Sequence, residues 1–137
     1  MKKLILPLIL AFALLGCTQK RWVQQVNISK HERGHKAYAQ CGSSDAEQLL
    51  ERQINDGLNK QGYLGKGDLL IKCKIKDMDG MTEATTKSYL YNARNQLLAT
   101  FETYSWHYDF RSQKGLGASA NEISDYIIYK FITKKEN

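Results

Sequence analysis

The stretch from Leu69 to Lys76 constrains the fold more than any other. Leu69, Ile71, Cys73 and Ile75 alternate with Leu70, Lys72, Lys74 and Lys76. Successive side chains of a strand point to opposite faces, so this pattern predicts a strand with one face in a core and a lysine row on the other. Cys73 is expected to point inward. A chain built around such a strand needs apolar helix faces to cover it, and two stretches supply them. Ser44 and Glu47 form a capping box before Ala46, Leu49, Leu50, Ile54 and Leu58, which recur at helical spacing, with Gly62 as the C-terminal cap. Ser119 and Glu122 form a second box before Ala120, Ile123, Ile127, Ile128 and Phe131, with Lys130, Lys134 and Lys135 where cations suit the helix dipole.

Between these helices a hairpin is expected from Thr82 to Tyr108, turning at Asn92-Ala93-Arg94-Asn95. Asn95 can adopt the left-handed conformation that such a turn requires. Leu97, Ala99 and Phe101 share a face of the second arm, after which the apolar residues change parity to Tyr104, Trp106 and Tyr108. The switch predicts a bulge, or an arm that outruns the core. It also makes these three rings a candidate partner surface, with Lys72, Lys74 and Lys76 next in line. Asp77 to Gly80 reads as a turn, and the polar, glycine-containing segment Arg111–Ser119 as a mobile loop. Gly115-Leu116-Gly117 lacks the third glycine of a dinucleotide site.

The amino terminus gives an address. Lys2 and Lys3 precede an apolar run from Leu4 to Leu15 that is too short, and broken by Pro7, to span a membrane, which needs about 20 apolar residues. Residues 1–16 therefore read as a signal peptide. The closing Leu14-Leu15-Gly16-Cys17 resembles the lipobox of bacterial lipoproteins. That resemblance implies diacylation of Cys17, cleavage before it and acylation of the new amine. Thr18 is not the aspartate associated with inner-membrane retention, so the expected location is the bacterial cell envelope, lipid-anchored at the outer membrane and facing the periplasm. Apart from the covalent lipid, no cofactor is expected.

Cleavage leaves about 120 residues, the size of one domain. The formal net charge of +6 falls when Lys2 and Lys3 are removed but stays positive. A basic exported protein suits anionic headgroups, lipopolysaccharide or acidic wall polymer. Nucleic acid is a poor partner for it, and no nucleic-acid motif appears. Two cysteines remain, Cys41 and Cys73, and an oxidising compartment favours joining them. Two buried free thiols are the alternative.

Residues 17–36 read as a lipidated tether or as a first strand, Trp22–Ile28, with Trp22, Val26 and Ile28 on one face. His31-Glu32-Arg33-Gly34-His35 spells the His-Glu-x-x-His signature of zinc peptidases, in which His31 and His35 would be ligands and Glu32 the general base. Its surroundings oppose that reading. Gly34 disfavours a helix by about 1 kcal/mol, and Ser29, Lys30 and Lys36 offer no apolar helix face. His107 has no readable triad.

Strand, helix, three strands and helix predict an α/β (α+β) two-layer sandwich over residues 37–137. It should have a mostly antiparallel sheet of about four strands and two helices on one face. The arrangement resembles the small α/β domains of transport-auxiliary lipoproteins, penicillin-binding-protein activator lipoproteins and the amino-terminal domain of curli-secretion lipoproteins. The local likeness lies in Tyr89–Ala99, where such domains often carry Asp-x-x-Gly and this chain has asparagines. The resemblance implies a non-enzymatic accessory or binding subunit, held to the membrane by its lipid and engaging an envelope protein. A zinc-dependent peptidase built on His31–His35 is the alternative.

Overall fold

The computed structural model describes residues 19–79, 83–107 and 114–133. The signal peptide, Cys17, Tyr108, Phe110, Arg111, Lys134 and Lys135 lie outside the described residues. The order is β1 (Gln19–Ile28), β2 (Ala37–Cys41), α1 (Asp45–Lys60), β3 (Leu69–Asp79), β4 (Glu83–Tyr91), β5 (Leu97–His107) and α2 (Lys114–Phe131). The described strands form one sheet in the order β1-β5-β4-β3-β2, antiparallel except for β2 beside β3. Both helices pack on one side of it, over a single core that includes Leu50, Ile54, Ile71, Leu90, Phe101, Ile123 and Phe131. The class is the expected two-layer α+β sandwich, with five strands in place of four.

The extra strand is β2. It is short and rich in alanine, and its free edge is satisfied by helix side chains. Asn55 accepts from the Ala39 N–H at 2.8 Å and donates to the Ala39 carbonyl at 3.1 Å, while Glu51 accepts from the Cys41 N–H at 2.9 Å. Those bonds close this edge to further pairing. The helical crossover therefore joins β2 to β3, and β1 reaches the opposite edge of the sheet.

Helix α1 follows the sequence closely. Ser44 caps it, accepting from the Glu47 N–H, and Glu47 reaches back to the cap. Past its end Gly62 takes a φ of +85°, as a left-handed stop requires. Helix α2 departs from expectation. It begins at Lys114, so Ser119 is no N-cap but a buried residue of the second turn, its hydroxyl bonded to that of Ser105 on β5. Residues 114–119 are accordingly helical. Burial of Leu116, Ala118, Ser119 and Ala120 against the sheet outweighs the poor helix propensity of Gly115 and Gly117.

Three register shifts correct the expected faces. Leu90 faces Ala99 while Tyr91 faces Leu97, which makes Leu98 the extra residue. Leu98 enters the core, and Leu97 turns out, 37% exposed. In β1 the shift between Gln25 and Asn27 separates Trp22, which is exposed, from Ile28, which packs on the core. In β3 the shift falls between Ile75 and Asp77, at Lys76. No shift in the β4–β5 register follows Phe101: the core positions beyond it are filled by Thr103 and Ser105, so the apolar residues change face while the strand runs straight.

Cys41 and Cys73 are directly opposite in the parallel pair and form a disulfide, with Cα atoms 4.5 Å apart and a sequence separation of 32. Closing such a loop stabilises by roughly 3–4 kcal/mol in the chain-entropy model. Cys41→Ser/Cys73→Ser should therefore melt roughly 10 °C or more below the wild type, and non-reducing peptide mapping of the wild type should recover one linked pair. The buried Thr103 hydroxyl has no hydrogen-bond partner among the described residues. Thr103→Val should raise stability by up to about 1 kcal/mol, measured by denaturant titration.

Candidate functional site

Because both described helices cover one side, the other side of the sheet is open among the described residues. Its residues follow from the register. From β1 come Trp22 and Gln24; from β5, Glu102, Tyr104 and Trp106; from β4, Glu83, Thr85, Lys87, Tyr89 and Tyr91; from β3, Leu70, Lys72 and Lys74; and from β2, Tyr38 and Gln40. Rings and lysines that the sequence suggested as two separate surfaces thus share one face.

The rings gather in two places. At the β1 corner Trp22 is 40% exposed and stacks on Tyr104, with centroids 5.4 Å apart and planes 19° from parallel. Trp106, half-buried, stands between Glu83 and Lys20 in the pairing. The Tyr104 hydroxyl donates to Glu83 at 3.0 Å. Burial, and then that carboxylate, push the phenol above its ordinary range. Tyr108 lies outside the described residues. Across the face, Lys72 Nζ lies 5.2 Å from the Tyr91 ring, Lys87 Nζ 5.5 Å from Tyr89 and Lys66 Nζ 4.7 Å from Tyr38, all within cation–π range. A hollow of about 250 Å³ opens beside Tyr38, Lys66, Leu70, Asn92 and Asn95.

The lysine row is not uniform. Lys74 is exposed and directly opposite Lys87, a like-charge pair that concentrates positive potential at the centre of the face. Lys76, displaced by the register shift, reaches Glu102 at 2.6 Å and is a bridging cation rather than a third member of the row. Glu47, at the start of α1, accepts from the Ile75 N–H at 3.2 Å. Desolvation opposes its charge, but bonds from Ser44 and Ile75, with Lys74 nearby, hold it below the usual carboxylate range.

The His-Glu-x-x-His residues serve another purpose. Residues 31–33 and His35 are irregular, and Gly34 makes a bridge to Ile132, so the helical face that would pair His31 with His35 does not form. An added Cβ at Gly34 would meet Asp68 Oδ1 at 2.6 Å, which explains the glycine. Glu32 clamps the hairpin turn, accepting from Asn92 Nδ2 at 2.6 Å and Arg94 at 2.7 Å. The Asn92 bond does most to hold its carboxyl below the ordinary range, against desolvation, and Arg94 adds to it. Asn92 Oδ1 in turn accepts from the Arg94 and Gln96 N–H groups, and Asn95 takes the left-handed φ of 61°. No group of three or more His, Cys, Asp or Glu side chains gathers at metal-binding range among the described residues. No helix among them is long and apolar enough to cross a membrane.

Sequence reasoning missed Lys87 and Tyr38 as members of the face. The alternation of Glu83, Thr85, Lys87, Tyr89 and Tyr91 carried the signal for Lys87. Tyr38 lies on the unforeseen strand. Tyr129, 72% exposed on the outer side of α2, had no signal beyond its helical position.

No protein-family model matches the chain, and no curated protein matches it in sequence. Solved structures do match in fold. A PelC dodecamer from Paraburkholderia phytofirmans is 14% identical, covers 82% of this chain and 99% of its own, and superposes with a TM-score of 0.51. A single-residue variant of that dodecamer is 13% identical, covers 84% of this chain and 100% of its own, with a TM-score of 0.52.

The carboxylates set an acid limit. Glu32 and Glu47 both titrate below their ordinary range, so the stability they contribute is fully present above that range. It is lost as pH falls through their depressed folded-state values. Melting temperature should drop on that acid limb, and Glu32→Gln and Glu47→Gln should each make the drop shallower.

Proposed function

We propose that this protein is a non-enzymatic lipoprotein of the bacterial cell envelope, anchored by lipid on Cys17 at the outer membrane and facing the periplasm. It acts as an accessory subunit whose open sheet face binds an envelope protein. The observation that carries this reading is the uncovered face itself, where Trp22, Tyr104, Trp106, Tyr89 and Tyr91 stand among Lys72, Lys74 and Lys87. Rings supply the contact area that interfaces favour, and the lysines around them supply charge complementarity to an acidic partner. The engagement of Glu32 by Asn92 and Arg94 supports the accessory reading over the peptidase one. The similar fold of PelC is assembled as a dodecamer, which supports protein–protein contact as the use of such a domain.

Two experiments test the parts separately. Cys17→Ser should abolish incorporation of labelled fatty acid and signal removal by the lipoprotein route; equal labelling of variant and wild type would refute the anchor. Lys72→Glu/Lys74→Glu should melt like the wild type, since both side chains are exposed, yet lose envelope proteins that co-purify with the wild-type lipoprotein. Retention of every partner by a folded variant would refute the docking surface.

A further inference from the structure

Strand β1 begins at Gln19, two residues after Cys17. With lipid on Cys17, as proposed above, the first paired residue of the sheet lies within about 7 Å of chain from the anchor. The antiparallel register decides what comes with it. Lys20 is opposite Trp106 and Trp22 is opposite Tyr104. At about 3.3 Å per residue along β1 and about 5 Å across to β5, the Trp106 position is held within about 15 Å of the anchor and Tyr104 within about 22 Å. The interfacial layer on each side of a bilayer is itself about 5–8 Å deep. Tipping the open face towards the bilayer therefore brings Trp106 to the headgroups first, and Trp22 and Tyr104 after it.

The chemistry of this corner suits that position. Tryptophan and tyrosine are the residues enriched at headgroup depth, because an apolar ring with a polar edge satisfies both sides of the boundary. Trp22 stays 40% exposed although stacked on Tyr104, so the pair forms a plate on the surface. Lys20, opposite Trp106 in the pairing and three residues from Cys17, adds a basic residue next to the anchor, where it favours anionic lipid. We propose that Trp22, Tyr104 and Trp106 form an interfacial anchor that binds the surface of the bilayer carrying the Cys17 lipid and tips the open face towards it. The half of the face bearing Lys72, Lys74, Lys87, Tyr89 and Tyr91 is then presented to a partner close to the membrane.

The chain contains two tryptophans, Trp22 and Trp106, and both belong to this corner, so intrinsic fluorescence reports on it alone. The full-length lipoprotein, purified from membranes, is reconstituted into vesicles of zwitterionic and anionic phospholipid, with or without bromine on the upper acyl chain. Emission should shift to the blue and be quenched roughly twofold by the brominated lipid. Trp22→Phe and Trp106→Phe, checked by thermal melt, should each keep a quenched signal from the remaining ring. Unshifted, unquenched emission from protein that co-floats with the vesicles would overturn the interfacial anchor and leave the lipid anchor standing. Failure of the wild type to co-float would overturn both. A shift seen in native membranes but not in protein-free vesicles would assign the corner to a protein partner, and would equally overturn the proposal.

Discussion

Two helices can cover only one side of a five-stranded sheet, and the rest of the structure depends on that constraint. The inward rows of β3, β4 and β5 meet α1 and α2 in a single core. Among the described residues the outward rows meet no helix, so core packing does not dictate their side chains. Between the register shifts, alternation makes the two faces inseparable: each buried Ile71 or Ser88 implies an outward Lys72 or Tyr89 beside it. The outward face is therefore as strongly specified as the core.

The two edges of the sheet are treated differently. At β2, Asn55 and Glu51 occupy the backbone groups that another strand would use, and the Cys41–Cys73 bond fastens the strand to its neighbour. At the far edge, β1 carries no such helix-borne cap among the described residues; it is the strand that leads back to Cys17. One edge is closed by side chains and the other leads to the chain's amino terminus, which leaves the open face as the broad surface that no described helix covers.

Elements with a short-range cause were legible in the sequence. The Ser44–Glu47 cap, the Leu69–Ile75 alternation, the Asn92–Asn95 turn and the inward Cys73 each rest on residues a few positions apart. What escaped depends on distant partners. Strand β2 exists because α1 satisfies its edge, and the first turn of α2 forms because Leu116 and Ser119 are buried against the sheet despite Gly115 and Gly117. Leu98 displaces Leu97 through a one-residue shift that no local pattern announces. Glu32 clamps the hairpin turn because Asn92 and Arg94 reach it from 60 and 62 residues away. The rings and lysines were each visible, but only the strand order placed them on one surface.

The central claim is that the helix-free face is covered when the protein is at work in the envelope. Thiol labelling of Thr85→Cys and Lys87→Cys, both at the centre of that face, against Arg52→Cys on the exposed side of α1, tests it most directly. All three should react with a membrane-impermeant maleimide in the purified protein. In intact envelopes Arg52→Cys should still react, while Thr85→Cys and Lys87→Cys are shielded. Equal reactivity of all three positions in both settings would contradict the account.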